Sequence, residues 1–395
     1  MWLTHNGRRC VELNDRVFER LLTFYPEENL LTRKVPADAL ASGEISLSAL
    51  KAEANRLFIP WQMFLLNMPR LRHHLRNIER NRRDKIRIAA LSRRAGRVGA
   101  APNRLIDRHI RAQNFLVSNG TYAPNAYNGM LRGMTAIDSV DAIVNHFSID
   151  RDTFWRKSRK EEAFAYLVEI VQGGQVNVAL GTSESRLVPS SANHKLLYKN
   201  VSGFCLKDEH VPFIFVNMNM ADDEEPAGRR IYTLVYLLTL VGLGIYTLTR
   251  DWRPGRPISE ADPYLKHAHV ITSEFLLPTV DLDPYRGKPI TPEIVMGLSG
   301  QYKLTPTAVL FRLWKEKLIT KNERDTLIKP VPPRKSRGWP SYIDTAVRKF
   351  NGALVFGSVN AEFAARRITQ NQAQYILFGR IRRTAWRQYR SRLRL

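Results

Sequence analysis

The run from Ile231 to Thr249 contains no charged side chain, and it constrains the fold more than any other feature of the chain. A helix needs about 20 apolar residues to cross a bilayer, and this run comes close to that length. It also carries tyrosines, threonines and two glycines, Gly242 and Gly244. Arginines flank it on both sides, so no positive-inside asymmetry supports an orientation. We therefore expect a buried helix of a globular domain rather than a membrane span.

The residues before this run favour a helix that packs on a sheet. His210–Met220 reads HVPFIFVNMNM, which is β-branched and aromatic and predicts a buried strand. The acidic segment Asp222–Glu225 follows, where negative charge favours a helix N-terminus, and we interpret it as a solvated loop rather than a metal site. Glu161–Leu180 predicts a helix, a Gly-Gly break and a strand. Residues 130–220 therefore predict an α/β arrangement.

The charge of the chain points to a polyanionic partner. Lysine and arginine number 61 against 37 aspartate and glutamate, a formal net charge of +24. An excess of this size concerns partners rather than fold, and nucleic acid is a commoner partner than an anionic membrane surface. The two cysteines, Cys10 and Cys205, form no CxxC pair, which argues against a zinc ribbon or a disulfide scaffold. With no apolar signal segment near Met1, we expect a cytoplasmic protein that does not associate with a membrane.

Residues 70–115 are dominated by arginine and predict a helix with one basic face. Leu71, Leu75 and Ile78 supply an apolar edge to this helix. Phosphate contacts along the basic face would add to affinity through counterion release, whereas the alternative is a solvated face without a ligand. The residues predicted to bind nucleic acid in this segment are Arg72, Arg76, Arg80, Arg83, Arg87, Arg93 and Arg94.

The C-terminal segment, residues 341–395, predicts further helices and a second basic region. No acidic residue follows Glu362. Trp386 and Tyr389 lie among the arginines, as is common where aromatic rings stack on bases, although packing of a terminal helix explains them equally well. The residues predicted to bind nucleic acid here are Arg380, Arg382, Arg383, Arg387 and Arg390.

Six segments follow one another along the chain: SGEISLSALKAEANRLFIPWQMFLLNMP, SGFCLKDEHVPFIFVN, RRIYTLVYLLTL, TSEFLLP, LSGQYKLTPTAVLFRLWKEKLIT and KFNGALVFGSVNAEFAARRITQNQAQYILFG. In this order they resemble the ImmA/IrrE-like metallopeptidase family in its long form with a repressor-type helix-turn-helix. The resemblance covers most of the chain from about Ser42, and the order of the segments is more specific than any one of them. It implies a zincin-like core of the gluzincin type, with its catalytic helix in the uncharged run.

Activity in that family depends on an HExxH helix, in which two histidines bind zinc and the glutamate activates water. The positions of this chain that match the motif are Tyr236, Leu237 and Leu240, none of which supplies that chemistry. No glutamate is found where the resemblance places the third ligand, and His267 and His269 are spaced so that they do not converge on a helix. The nine histidines include no i, i+4 pair. We therefore expect no zinc, no other cofactor and no peptidase activity.

The predicted fold class is α+β and mostly helical, with a degenerate zincin-like core, a small sheet and helical regions at both ends. Within the small domain, Thr305 is expected to cap a helix in a helix–turn–helix pattern. The predicted regions are a helical region resembling a truncated helix-turn-helix (1–69), an Arg-rich helix and linker (70–125), a pseudo-metallopeptidase core (126–288), a small helix-turn-helix-like domain (289–328), a Pro-rich basic linker (329–340) and a basic helical extension (341–395).

Two functions from different classes follow from these patterns. The first is an inactive ImmA/IrrE-like protein that binds nucleic acid, DNA in preference to RNA. The resemblance implies a setting in repressor control, a toxin–antitoxin pair, a mobile element or a stress response. Because the region before Ser42 shows no complete recognition helix, phosphate contacts are expected rather than sequence reading. The second is a protein-interaction or structural component, which uses its basic segments to dock onto a larger ribonucleoprotein or protein assembly. A weaker third possibility is an enzyme with a rebuilt site.

Overall fold

The structure is a computed structural model that describes residues 1–25, 30–57, 59–87, 103–181, 201–218, 226–250, 263–328, 342–379 and 383–393. Over these residues the fold is α+β and mostly helical, with two small sheets, which confirms the coarse fold class predicted from the sequence. The described strands are β1 (Trp2–His5), β2 (Arg8–Glu12), β3 (Glu44–Ser46), β4 (Asn177–Gly181), β5 (Val201–Leu206), β6 (Phe213–Asn217) and β7 (Leu248–Arg250).

The described α-helices are numbered in chain order. They are α1 (Asp15–Leu22), α2 (Lys34–Ser42), α3 (Leu47–Leu57), α4 (Met68–Lys85), α5 (Asn103–Asn119), α6 (Ala136–Phe147), α7 (Arg151–Arg156), α8 (Lys160–Gly173), α9 (Pro226–Gly242), α10 (Pro263–Leu276), α11 (Pro292–Gln301), α12 (Pro306–Lys315), α13 (Lys321–Leu327), α14 (Ile343–Asn351), α15 (Ala353–Ala364), α16 (Gln370–Phe378) and α17 (Arg383–Leu393). Short 3₁₀ helices follow α1, α3 and α10 at Leu30–Thr32, Trp61–Leu65 and Thr279–Tyr285.

The N-terminal region contains a three-stranded sheet in the order β2-β1-β3. The prediction of short helices across residues 1–69 is therefore wrong for these strands. Asn6 and Gly7 join β1 to β2, both with positive φ (49° and 74°). Asn-Gly between two strand-forming runs is a strong hairpin signal, because both central residues of a type I′ turn need positive φ. The helical prediction for this region overlooks that two-residue signal.

The helices of the N-terminal region pack around a core that includes Phe18 and Phe64. The long helix α4 begins after Asn67, whose side chain accepts a hydrogen bond from the Arg70 amide. Its second residue is a proline, which the first turn of a helix tolerates because the N–H groups there have no intrahelical partner. Leu71 and Leu75 of α4 are buried in this core.

The second sheet has the order β4-β6-β5-β7 and confirms the strands predicted in the middle of the chain. β4 and β6 are parallel, whereas β5 is antiparallel to both β6 and β7. Every residue of β4, β5 and β6 is buried. Helices α8 and α9 contact one another and the sheet, and α10 packs on α9. Strands that are covered on their faces read as continuous apolar runs, as these do.

The uncharged run forms a buried helix only as far as Gly242. Gly244 has a positive φ of 71°, and the chain then enters β7 at Leu248. The expectation of one helix from Ile231 to Thr249 is therefore wrong at its C-terminal end, because a glycine that adopts left-handed backbone ends a helix readily. Within the described ranges, no helix is long and apolar enough to cross a membrane.

The C-terminal helices confirm the helical prediction for the part of residues 341–395 that the structure describes. α14 and α15 pack on β4, α15 and α16 pack on α5, and α17 packs on α14. The Asn177 side chain ties β4 to this layer by donating to the Asn351 carbonyl oxygen at 2.9 Å. Thr305 caps α12 by accepting from the Ala308 amide, as predicted. The predicted linker, residues 329–340, lies outside the described residues.

Candidate functional site

The three positions that match the zinc motif of the resembled family lie on α9 and are buried. Tyr236 is 7% exposed, and Leu237 and Leu240 are fully buried. Leu237 lies against the sheet, since a Cβ atom built on Gly203 of β5 would come within 2.7 Å of its Cδ1 atom. An apolar side chain needs no hydrogen-bond partner when it is buried, so this part of α9 packs on the sheet as a core helix.

Helix α10 brings His269 against the first of these positions. The imidazole stacks on Tyr236 with ring centroids 4.2 Å apart, and its Nδ1 atom lies 2.8 Å from the Tyr232 hydroxyl. Burial lowers the pKa of His269 to about 4, so the ring is neutral at pH 7. A neutral imidazole that stacks on one tyrosine and hydrogen-bonds another joins the two helices by packing.

The other polar side chains of α10 contact separate partners. His267 places Nε2 3.1 Å from the Met134 carbonyl oxygen, so the two histidines of the HxH pair do not converge. Glu274 accepts hydrogen bonds from Thr279 and from the Arg312 guanidinium. Burial raises the pKa of Glu274, but these hydrogen bonds and the Arg312 charge outweigh it and hold the pKa below its ordinary value. The one carboxylate of the TSEFLLP segment thus takes part in an ion pair.

Neither helix assembles a metal centre from described side chains. In the described part of the chain, no group of three or more His, Cys, Asp or Glu side chains is arranged to hold a metal ion. The acidic segment Asp222–Glu225 lies outside the described residues. The contacts between α9 and α10 include aromatic stacking, hydrogen bonds and apolar packing, which do not supply the chemistry of an HExxH helix.

Ion pairs fix the orientation of α4 on its buried side. Arg82 donates to both carboxylate oxygens of Asp107 at 2.7 and 2.5 Å, and Asp107 also accepts from the Tyr25 hydroxyl at 2.9 Å. Lys85 donates to Asp208 at 2.6 Å. A bidentate guanidinium–carboxylate pair sets geometry as well as contributing energy. These contacts hold α4 in one orientation and leave its opposite side in solvent.

The solvent side of α4 carries four of the predicted arginines in one row, Arg72, Arg76, Arg80 and Arg83, which we name the basic face. With about 100° of rotation and about 1.5 Å of rise per residue, the row covers an arc of roughly 80° and a length of about 16 Å. All four side chains are exposed, and none of them forms an ion pair with a described residue. Arg76 and Arg80 each donate one hydrogen bond within α4, to the Arg72 carbonyl oxygen and to the Asn77 side chain. The basic face is therefore free to bind an anion.

The structure adds Arg20, which is not among the residues predicted from the sequence. Arg20 lies on α1 and lines a shallow groove together with Arg72 and Arg76 of the basic face. The other lining residues are Met68, Leu75 and Glu79. The only sequence feature that marks Arg20 is its position on the exposed side of an amphipathic helix. Its approach to α4 depends on how the two helices pack, which no local pattern specifies.

The other predicted arginines of the first segment are not part of the basic face. Arg87 is exposed just after α4, where its backbone amide donates to the Tyr246 carbonyl oxygen at 2.7 Å and its carbonyl oxygen accepts from the Thr247 hydroxyl at 3.0 Å. Its backbone therefore fixes the C-terminal end of α4 to the start of β7. Arg93 and Arg94 lie outside the described residues.

The C-terminal basic region differs from the prediction in its aromatic residues. Trp386 and Tyr389 are 2% and 0% exposed, and their rings stack on each other with centroids 5.3 Å apart. They fill the core beside Phe378, so the packing interpretation is correct and they are not surfaces for bases. Their spacing of three residues on α17 serves one buried face of the helix.

The arginines of α17 divide into exposed and occupied side chains. Arg387 and Arg390 are both exposed. The guanidinium carbon of Arg390 lies 5.8 Å from the centroid of the Phe363 ring. Arg392 contacts both the Tyr342 ring and Asp344. For Arg383 the structure describes the helical backbone but not the side chain. Arg380 and Arg382 lie outside the described residues.

Comparisons with protein-family models, with curated proteins and with solved structures found no match to this chain.

Proposed function

We propose that this protein is a non-catalytic nucleic-acid-binding protein that favours DNA over RNA. The observation that carries the proposal is the basic face of α4, four exposed arginines in one row without an ion-pair partner among the described residues. The net charge of +24 supports it, because a chain of this charge attracts polyanions over a long range. Arg20 extends the row onto α1.

Guanidinium groups suit the phosphate backbone because they bind its oxygens in a planar, bidentate geometry and stay charged at any physiological pH. Contacts to phosphates set the position and orientation of a protein on nucleic acid but carry no sequence information. We therefore propose binding that is dominated by phosphates. The rigid attachment of α4 through Arg82 and Lys85 supports this proposal, since a fixed helix loses less conformational entropy on binding.

The scaffold is proposed to be a degenerate member of the ImmA/IrrE-like type that lacks zinc peptidase activity. The burial of Tyr236, Leu237 and Leu240 in a core helix supports the loss of activity, and the order of the resembling segments supports the family. The same resemblance favours a regulatory setting, in repressor control, a toxin–antitoxin pair, a mobile element or a stress response. Stoichiometric zinc in the purified protein would contradict the loss of activity.

The salt dependence of DNA binding tests the proposed function. Fluorescence anisotropy with a duplex of mixed sequence should give a linear decrease of log K with log salt. If Arg20 and the basic face make five phosphate contacts, the slope should be about −4.5, which is a loss of several hundredfold between 50 and 200 mM salt. Duplexes of unrelated sequence should bind with similar affinity.

Absence of binding at the lowest salt would overturn the proposed function. The second function would then be preferred, in which the basic segments dock the protein onto a larger assembly. Binding with a slope near zero would also contradict the proposal, because it would show that phosphate neutralisation does not drive the association.

A further inference from the structure

A second cleft borders α4 on the side away from the Arg20 groove. It lies between the 3₁₀ helix Trp61–Leu65, α4, α5 and α16, and its volume is about 170 Å³. Residues that line it include Met63, Asn81, Ile110, Arg111, Asn114 and Tyr375. It is therefore built by segments that lie as far as 316 residues apart in the chain (Ile59 to Tyr375) and exists only in the folded protein.

The cleft combines an aromatic ring, a guanidinium and two amides. The Arg111 guanidinium carbon lies 5.2 Å from the centroid of the Tyr375 ring. Arg111 makes no hydrogen bond or ion pair with a described residue, and the exposed amides of Asn81 and Asn114 make none either. Met63 contributes apolar surface. A matching ligand is flat, has an aromatic face and carries hydrogen-bonding groups on its edge.

The size of the cleft limits this ligand to about one ring. A cavity of about 150 Å³ is enough to hold a single benzene ring, whereas drug-sized ligands occupy about 300 Å³ or more. A nucleobase, and a pyrimidine in particular, meets both the chemical and the size requirement. Unpaired bases are commonly bound in this way, stacked on aromatic side chains or guanidinium planes and hydrogen-bonded along an edge.

Asp107 also lines the cleft, and its charge is already paired within the protein. Its carboxylate is 3% exposed and accepts hydrogen bonds from Arg82 and Tyr25 on both oxygens. The cleft therefore adds to this complete ion pair a single further guanidinium, Arg111, which lies beside the Tyr375 ring, whereas the basic face carries four exposed guanidinium groups in a row. We therefore place the phosphates of a bound strand on the basic face and the base in the cleft.

The two surfaces are neighbours on α4. Asn81 follows Arg80 directly, so it lies about 100° further around the helix, between the basic face and the buried side. We propose that the cleft binds one unpaired nucleobase of a strand whose phosphates contact the basic face. This inference rests on the proposed function and deepens it, because it makes DNA with an unpaired nucleotide, rather than blunt duplex, the preferred ligand.

Binding of matched DNA duplexes at one salt concentration tests the inference. The first duplex is blunt, the second carries a single-stranded thymidine overhang, and the third carries an abasic overhang of the same length, which keeps the phosphates and removes the bases. One base stacked on the protein is worth about tenfold in affinity. We expect the thymidine overhang to bind about tenfold more tightly than the abasic overhang.

Tyr375→Leu should abolish this tenfold preference while leaving the affinity for blunt duplex unchanged. Tyr342→Leu is the matched control, because Tyr342 is 66% exposed and lies outside the cleft. Thermal unfolding of both variants shows whether each is folded, and Asn114→Ala provides a second test on an exposed side chain. Equal affinity for thymidine and abasic overhangs would overturn the inference and leave the proposed function standing. Absence of binding to all three duplexes would overturn both.

Discussion

Two arginine-rich helices, α4 and α17, have similar composition and different surroundings. On α4 the two basic residues that pair with carboxylates, Arg82 and Lys85, and the arginines that face solvent lie on separate sides of the helix. On α17, Arg392 contacts Tyr342 and Asp344, Arg390 lies over an aromatic ring, and Trp386 faces the core. The density of arginine is therefore a poor guide to a binding surface. What distinguishes α4 is a continuous row of exposed guanidinium groups on a helix that is held in place.

The largest predicted effect is the loss of stability on removing a buried aromatic side chain of α17. Trp386→Ala is expected to lower the free energy of unfolding by about 3–5 kcal/mol, because it removes a buried aromatic side chain and leaves a cavity. Urea unfolding followed by circular dichroism measures this change. A loss of DNA affinity without a loss of stability would reverse the comparison and make Trp386 a stacking residue.

The next largest predicted effect is the loss of DNA affinity on removing the arginines of the basic face. Arg72, Arg76, Arg80 and Arg83 changed together to Gln should lower the affinity for duplex DNA on the order of 10²-fold, because four phosphate contacts and their counterion release are lost. The measurement is anisotropy at fixed salt. Arg8, Arg156, Arg348 and Arg366, all exposed and outside the two helices, changed together to Gln, form a control of equal charge.

An equal loss of affinity in this control would show that net charge, rather than the row on α4, governs binding. Arg387→Gln on α17 provides the direct comparison and should change the affinity by only a few fold. A larger loss from this single substitution would move the binding surface to the C-terminal helix.

The attachment of α4 should depend on pH through Asp208. Burial raises the pKa of Asp208, but the hydrogen bonds from Lys85 and from the backbone amides of His210 and Val211 outweigh burial, and the pKa lies below its ordinary value. A carboxyl whose pKa is lower in the folded state stabilises the fold above its unfolded pKa of about 3.9 and loses that contribution as the pH falls through the folded pKa.

Asp208→Asn should therefore lower the free energy of unfolding by about 2 kcal/mol at pH 7, the magnitude of hydrogen bonds to a charged group. The difference between the variant and the original protein should shrink as the pH falls below about 4. Denaturant unfolding at pH 7, 5 and 3 measures it. A difference that stays constant over this range would show that the carboxylate charge does not contribute to the attachment of α4.

The smallest effect should come from Arg20, which extends the basic face onto α1. Arg20→Gln removes one phosphate contact, so the slope of log K against log salt should decrease by about 0.9. Arg16→Gln on the same helix is the control, because Arg16 is exposed and does not line the groove. Identical slopes for the two variants would confine the binding surface to α4.

Much of the second sheet and of the helices that follow it was predictable, because these elements have strong local patterns. The strands β5 and β6 are continuous apolar runs, and Thr305 precedes a helical pattern as a capping threonine does. The end of α9 was less predictable. The uncharged run continues beyond Gly242, but the chain leaves the helix because β7 pairs with β5 on the sheet, and a long-range pairing of this kind is not visible in a hydropathy pattern.

The candidate site was predictable only in part, because helical spacing is a local pattern whereas ion-pair partners are distant in the sequence. The arginine row of α4 follows from helical spacing alone, so the amino-acid sequence is sufficient to select Arg72, Arg76, Arg80 and Arg83. Arg82 lies in the same run, and helical spacing places it on the side of Leu75 and Ile78, away from the row, but spacing does not name its partner. Its partner is Asp107, 25 residues away, and only the packing of α4 on α5 makes it structural.

Charge, apolar runs and helical spacing depend on residues that are close in sequence, and they established that this chain is mostly helical, strongly basic and without an HExxH pair. Which charges are available for binding depends on residues that are far apart. The fold pairs Arg82 with Asp107, buries Trp386 and brings Tyr375 beside Arg111. An arginine that already contacts a carboxylate or an aromatic ring is less available to bind a phosphate. Tertiary packing, rather than helical spacing, determines which arginines have such a partner.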